Sequence, residues 1–214
     1  MTEQRKIEFK RPFGPSIAKV QMTNELISKI NHYVDAVIID DEKSKKQDFG
    51  KHLAGNVKQE ITLDEEFVKS SGLMNFLTSA VNAWIKNVNG ETITKFVMIS
   101  CWVVRQFENE YNPLHLHSGH ISGVGYLKVP KDFGETYQEE KVNSNGKIAF
   151  VHGTRQFLSK NVEIFKPVIG DFYFFPNYLT HAVYPFRNND NEERRSISFN
   201  AKIDESIYDV YGKK

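Results

Sequence analysis

Residues 111–126 read YNPLHLHSGHISGVGY, and they place three of the chain's seven histidines within six residues of one another. The Gly, Val and Tyr residues that follow look like the inside of a sheet. On a strand, positions i and i+2 share a face. His115 and His117 therefore point together and Leu116 points away. Two imidazoles on one strand face make a two-point metal grip. The alternative is a pair of surface histidines in a proline-containing loop. A metal would also need ligands from elsewhere, so the rest of the chain decides between these readings.

Downstream and upstream of this block the composition differs. After Gly90 come ITKFVMISCWVVRQF, ISGVGYLKVP, KIAFVHG, EIFKPVIG, DFYFFPNYL and RRSISFNAKI. These β-branched and aromatic runs, broken by Pro, Gly and Asn, predict short antiparallel strands in a sandwich or barrel. VNSNGKIAF predicts a hairpin turn. Before Gly90, TNELISKINHYVDAV carries Leu26, Ile27, Ile30, Tyr33, Val34 and Val37 at helical spacing, with Thr23 or Asn24 as cap. SSGLMNFLTSAVNAWIKNVNG repeats the pattern with Leu73, Phe76, Leu77, Ala80, Val81, Trp84, Ile85 and Val88, and Asn89-Gly90 ends it. The charged stretch 41–51 reads as a loop. Helices followed by strands predict an α+β fold with the N-terminal helices packed on one sheet. The expectation is one domain over 1–214, with helical support over about 1–90 and a strand-rich core over about 91–205.

The totals narrow the function. With 214 residues, 40% hydrophobic and 26% charged, the chain is long enough and apolar enough for a sizeable core. A net charge of +1 leaves no broad basic field and disfavours nucleic acid as a partner. The start, MTEQRKIEFKRP, has no apolar signal core, and no run reaches membrane-span length. One cysteine, Cys101, excludes an internal disulfide and thiolate-rich zinc sites. A reducing, cytoplasmic setting is the expectation, and any metal must be held by His, Asp or Glu.

The candidate third ligand is His181 in GDFYFFPNYLTHAVYP. Gly170-Asp171 makes a turn, Phe172 to Phe175 form a buried strand, Pro176 ends it, and His181 opens the next extended segment. The competing reading is a satisfied core histidine. In RRSISFN, alternation puts Arg194, Ser196, Ser198 and Asn200 on one face and Arg195, Ile197 and Phe199 on the other. A polar face on a buried strand needs partners, and a buried arginine matches a carboxylate. The competing reading is a surface face paired with Glu193 or Asp190, with Arg195 inward instead.

These blocks together, in this order, resemble the 2-oxoglutarate- and iron(II)-dependent oxygenases, in the prolyl-4-hydroxylase-like branch. The resemblance covers about residues 95–203, with a fainter echo at 52–63, and is strongest to a group of uncharacterised oxygenases with a His-x-His motif, some from phages. It implies a double-stranded β-helix (jelly-roll, cupin-like) core that uses Fe(II), 2-oxoglutarate and O₂. Decarboxylation of 2-oxoglutarate to succinate would be coupled to hydroxylation of a small-molecule or protein substrate. On this resemblance His115, His117 and His181 are the iron ligands. Arg194 binds the far carboxylate of 2-oxoglutarate, supported by Ser196 and the Tyr126 hydroxyl, while Asn200 and Arg105 are candidates for the pocket wall. The aromatic run 172–175 would supply a dry wall.

One departure stands out. The family's usual second ligand is Asp or Glu, whereas this position is His117, and no carboxylate lies between Tyr111 and Lys131. His120 is a further candidate near the metal. Two rivals remain: a three-His cupin-type metalloenzyme that does not use 2-oxoglutarate, and a non-enzymatic β-sandwich binding module. A phage origin would place the protein in the host cytoplasm. The sequence leaves open a homodimer through the N-terminal helices.

Overall fold

A computed structural model of the protein describes residues 13–136, 138, 140–188 and 191–212. The start read above and Asp190 lie outside the described residues. Two sheets are present, with strands numbered here in chain order. The larger runs, in spatial order, Ala18–Gln21 (β1), Asp171–Pro176 (β8), Ile121–Lys128 (β5), Arg194–Ile203 (β10), Phe96–Gln106 (β3) and Gln59–Thr62 (β2). The smaller runs Asn112–His115 (β4), Thr180–Val183 (β9), Ile148–Val151 (β6) and Val162–Phe165 (β7). Every pairing is antiparallel.

Each face of the large sheet has its own core. On the outer face lie the helices Asn24–Ile39 (α1) and Leu73–Asn89 (α4), the latter preceded by the short helix Glu65–Ser70 (α3). Thr23 caps α1 by accepting from the Leu26 N–H at 3.2 Å, and Gly90 ends α4 in the left-handed conformation at φ 76°. Their apolar stripes, including Leu26, Ile30, Val34, Leu73, Leu77 and Val81, join Val103, Phe172, Phe174, Ile197 and Phe199 in one buried cluster. On the inner face, Val124, Tyr126, Ile148, Phe150, Tyr173, Phe175, Leu179 and Val183 fill the gap between the sheets.

Close approach in the large sheet requires glycine at two positions of β5. A Cβ at Gly125 would lie 2.3 Å from the Phe172 ring, and one at Gly123 would lie 2.7 Å from the rings of Phe172 and Phe199. Both would point to the helix face, because Gly123 pairs with Phe199 and Gly125 with Ile197 across the ladder.

Three expectations change. The stretch 41–51 is not a plain loop: Asp41–Gln47 is a helix (α2), followed by a 3-10 turn at Gly50–His52. Its only buried residue is Gln47, so it shows no apolar period. The Asp40 carboxylate caps it by accepting from the Lys43 N–H at 3.0 Å, with acidic residues in the first turn and lysines in the last. The Asn145-Gly146 turn does not close a hairpin, because β6 pairs with β7 and β9 and not with β5. The N-terminal 90 residues are more than a buttress, since β1 and β2 form the two edges of the large sheet.

Candidate active site

The pocket between the sheets is lined by Trp102, Val104, Asn112, His115, His117, Val124, Ile148, Phe175, His181, Val183, Arg194, Ser196 and Ser198. His115, the last residue of β4, sits opposite His181 of β9 in the antiparallel register. Their ring centroids are 4.3 Å apart. His117 lies two residues beyond the strand end, where its backbone N–H donates to the Asn177 carbonyl at 3.0 Å. Its Nε2 is 3.2 Å from His115 Nε2, and its ring is 4.8 Å from that of His181. One nitrogen from each of the three rings falls within 4.8 Å of the others, the only such group of three among the described residues.

Backbone carbonyls orient two of the rings. His115 Nδ1 lies 2.7 Å from the Pro113 oxygen, and His181 Nδ1 lies 2.9 Å from the Leu179 oxygen. A carbonyl can only accept, so each Nδ1 carries the proton and each Nε2 keeps its lone pair. Burial holds all three imidazoles neutral: it lowers the pKa of His115, that of His117 to about 3 and that of His181 to about 4. Each neighbouring imidazole further disfavours a positive charge on His117. Phe150 and Phe175 pack on His181, and Trp102 and Phe175 on His117.

Deeper in the pocket, Arg194 is 1% exposed. Its Nη1 donates to Gln106 Oε1 at 3.0 Å and to Ser196 Oγ at 3.4 Å. Its Nε and Nη2 are buried and have no partner, and neither does the buried Tyr126 hydroxyl. The Arg194 guanidinium sits over the Tyr126 ring, 5.0 Å from its centroid. Burial pushes the Tyr126 phenol up to about 12, so it is a hydrogen-bond donor at neutral pH. Donors left unpaired in a buried pocket are costly and fit an anion with two or more oxygens.

The polar face of β10 is the pocket face. Arg194, Ser196 and Ser198 line the cavity, and Asn200 accepts from the buried Ser122 hydroxyl at 2.8 Å while reaching His117. Arg195 turns to the helix face, so both arginines are buried, on opposite sides, and it is Arg195 that pairs with Glu193.

Three expected positions fall elsewhere. Arg105 pairs with Arg195 in the ladder, so it shares the helix-side face and binds Glu193 and Gln59, away from the pocket wall. His120 stacks on Tyr208 of the C-terminal helix Glu205–Tyr208 (α5) and accepts from the Ile203 N–H, outside the imidazole group. Phe172 and Phe174 point to the helices, and only Phe175 of that run lines the pocket. The sequence reading placed Ser198 on this polar face but missed Trp102, Asn112 and Gln106. Strand alternation from Trp102 through Val104 to Gln106 was the available signal.

Residues 100–200 match the profile of the family described as "Putative 2OG-Fe(II) oxygenase". This match, over just under half of the chain, is to the 2-oxoglutarate- and iron(II)-dependent oxygenases. Solved structures agree on the fold. A prolyl-4-hydroxylase from Pseudomonas putida is 15% identical with a TM-score of 0.52, covering 86% of this chain and 91% of that one. The viral collagen prolyl hydroxylase of Paramecium bursaria Chlorella virus-1, a 2-oxoglutarate complex, is 16% identical with a TM-score of 0.51, covering 86% and 94%. HygX from Streptomyces hygroscopicus, with nickel and 2-oxoglutarate bound, is 10% identical with a TM-score of 0.54, covering 86% and 81%. No curated protein sequence is significantly similar to the chain. The oxygenase therefore has the double-stranded β-helix core, with helices on its larger sheet, and its cofactors are Fe(II), 2-oxoglutarate and O₂. Among the described residues no helix is long and apolar enough to cross a membrane.

Proposed function

We propose that this oxygenase hydroxylates a small-molecule or protein substrate while converting 2-oxoglutarate to succinate and CO₂. In this reading His115, His117 and His181 hold the iron, and Arg194 anchors the far carboxylate of 2-oxoglutarate. The observation that carries it is the free Nε and Nη2 of Arg194 beside the free Tyr126 hydroxyl, in the same cavity as three neutral imidazoles. Neutral imidazoles suit iron(II), and three protein ligands leave positions for a chelating 2-oxo acid. Bound iron would supply the oxygen activation that drives C–H hydroxylation.

The protein's own contributions follow from the residues. The Pro113 and Leu179 carbonyls fix the His115 and His181 tautomers, so both Nε2 atoms face the cavity. Ser196 supports Arg194, Tyr126 adds a third donor to the anion, and Asn200 steadies His117. Trp102, Phe150 and Phe175 keep water away from the imidazoles. The missing carboxylate ligand makes the site more positive. Three neutral imidazoles leave the metal its full +2 charge, Arg194 adds one more, and none of the described residues that line the cavity is acidic. A dianionic cosubstrate compensates most of that charge.

Anaerobic titration with Fe(II) and 2-oxoglutarate tests this reading. A weak visible charge-transfer band that needs both additions supports it. Iron binding with no band on adding 2-oxoglutarate would favour a three-His metalloenzyme, and no metal binding would return the protein to a binding module.

A further inference from the structure

We infer that Gln106 is a positioning residue that selects which edge of the Arg194 guanidinium meets the cosubstrate, without neutralising it. The inference rests on the assignment of Arg194 as carboxylate anchor. Gln106 ends β3 and lies directly opposite Arg194 across the β3–β10 ladder, so both side chains occupy the pocket face. It is fully buried. Its Nε2 donates to the backbone carbonyls of Glu110 at 2.6 Å and Tyr184 at 3.3 Å. A carbonyl cannot donate, so the amide nitrogen must face these two groups and Oε1 must face the arginine. There it accepts from Nη1 at 3.0 Å.

This leaves one edge of the guanidinium free. Nη1 carries two hydrogens, one directed to Gln106 and the other to Ser196. The unpartnered atoms are Nε and Nη2, which form one of the guanidinium edges that can grip a carboxylate with two parallel bonds. A glutamate of the same size would bond to the same Nη1, but its charge would pair with the arginine internally and compete with the incoming anion. A neutral acceptor orients the fork and leaves its positive charge available.

The carbonyls that hold Gln106 are themselves fixed by the surrounding chain. The Glu110 carboxylate accepts from the Phe107 N–H at 2.8 Å, Asn109 between them takes a positive φ of 63°, and its N–H donates to the Phe186 carbonyl. Tyr184 directly follows β9, the strand of His181. Gln106 thus ties the anchor to the chain leading into β4 and out of β9, the two strands that carry His115 and His181.

The test uses the Fe(II)-loaded protein and two 2-oxo acids. 2-Oxoglutarate has the far carboxylate, and 2-oxobutyrate lacks it. Anaerobic binding of each is measured for the parent, Gln106→Met, Gln106→Glu and Arg194→Ala. Losing a hydrogen bond to a charged group predicts roughly tenfold weaker 2-oxoglutarate binding in Gln106→Met. An internal ion pair predicts a larger loss, on the order of 100-fold, in Gln106→Glu. Neither variant should change 2-oxobutyrate or Fe(II) affinity. A structural role alone would weaken both 2-oxo acids equally, and that result overturns the inference. So does unaltered 2-oxoglutarate binding in Gln106→Glu while Arg194→Ala has lost it. If Arg194→Ala keeps its 2-oxoglutarate affinity, the anchor reading itself fails, and the inference with it.

Discussion

The two faces of β10 bury one arginine each, at adjacent positions, and treat them oppositely. On the helix face, Arg195 donates from Nε and Nη2 to Glu193 at 2.8 and 2.9 Å, from Nη2 to Asp35 at 2.7 Å, and from Nη1 to Asn31. Burial works against its charge, but the two carboxylates more than reverse this and its pKa is raised. On the pocket face, Arg194 has no ion pair with a carboxylate among the described residues, two nitrogens without hydrogen-bond partners, and a pKa lowered by burial. Both side chains are 1% exposed. The difference lies in what faces them. One arginine is complete within the chain and serves stability, and the other is left with unpaired donors, which is why we propose it as the cosubstrate anchor.

The sharpest way to break this comparison is Arg194→Met. Loss of the anchor should lower kcat/KM for 2-oxoglutarate by about 100-fold, the size of charge-assisted hydrogen bonds removed from a buried anion. Iron binding should persist, and the thermal midpoint of the ligand-free protein should hold or rise, because an unpaired buried charge is removed. Succinate release and thermal unfolding measure the two halves.

The mirror variant, Arg195→Met, should do the reverse. Glu193, 13% exposed, would keep only Arg105, and the ion pair to half-exposed Asp35 would vanish. A loss of about 3 kcal/mol is expected, at the low end for a broken buried pair because Asp35 is open to solvent. That corresponds to a thermal midpoint roughly 10 °C lower. Cosubstrate affinity measured well below that temperature should be unchanged. Equal effects of the two variants on both readouts would dissolve the contrast.

A smaller effect sharpens it on the pocket side. Glu60 pairs with Val104, so it too points inward, and its Oε2 is buried without a partner. Burial, then the charge of Asp48, raises its pKa from 4.5 to about 7. A carboxyl with a raised folded-state pKa favours the fold below its unfolded value and costs stability as pH rises through about 7. Glu60→Gln should therefore raise the thermal midpoint more at pH 8 than at pH 5. An advantage that stays constant with pH would count against a protonated Glu60 in the fold. Smallest of all, Ser196→Ala removes only the long 3.4 Å contact to Arg194 and should raise the KM for 2-oxoglutarate by about threefold, which initial-rate kinetics can resolve.

The sequence revealed most where one face of an element is apolar. The two long helices, the strands from Phe96 onward and the alternation of Arg194, Ser196, Ser198 and Asn200 all follow from period alone. It revealed least where stabilisation is polar or remote. The α2 helix is made of capping and charge placement, with nothing apolar to show a period. Arg105 was assigned to the pocket without its strand parity, which the pairing with Arg195 supplies. Strand alternation puts Gln106 and Trp102 on the same face as Val104, but their partners lie 88 and 15 positions away in the chain and are supplied only by the fold.

Gly123 and Gly125 carry a consequence for how the protein can change. They are sockets, and the ring of Phe172 from the neighbouring strand is the tenon that fills them. This joint locks the sliding position of β8 against β5. β8 in turn carries Phe175 and leads through Leu179, whose carbonyl holds His181. A methyl group added on the helix face would therefore be felt as a displaced imidazole on the opposite face. Variation at these two positions is constrained from behind, by carpentry in the core on the helix side of the sheet.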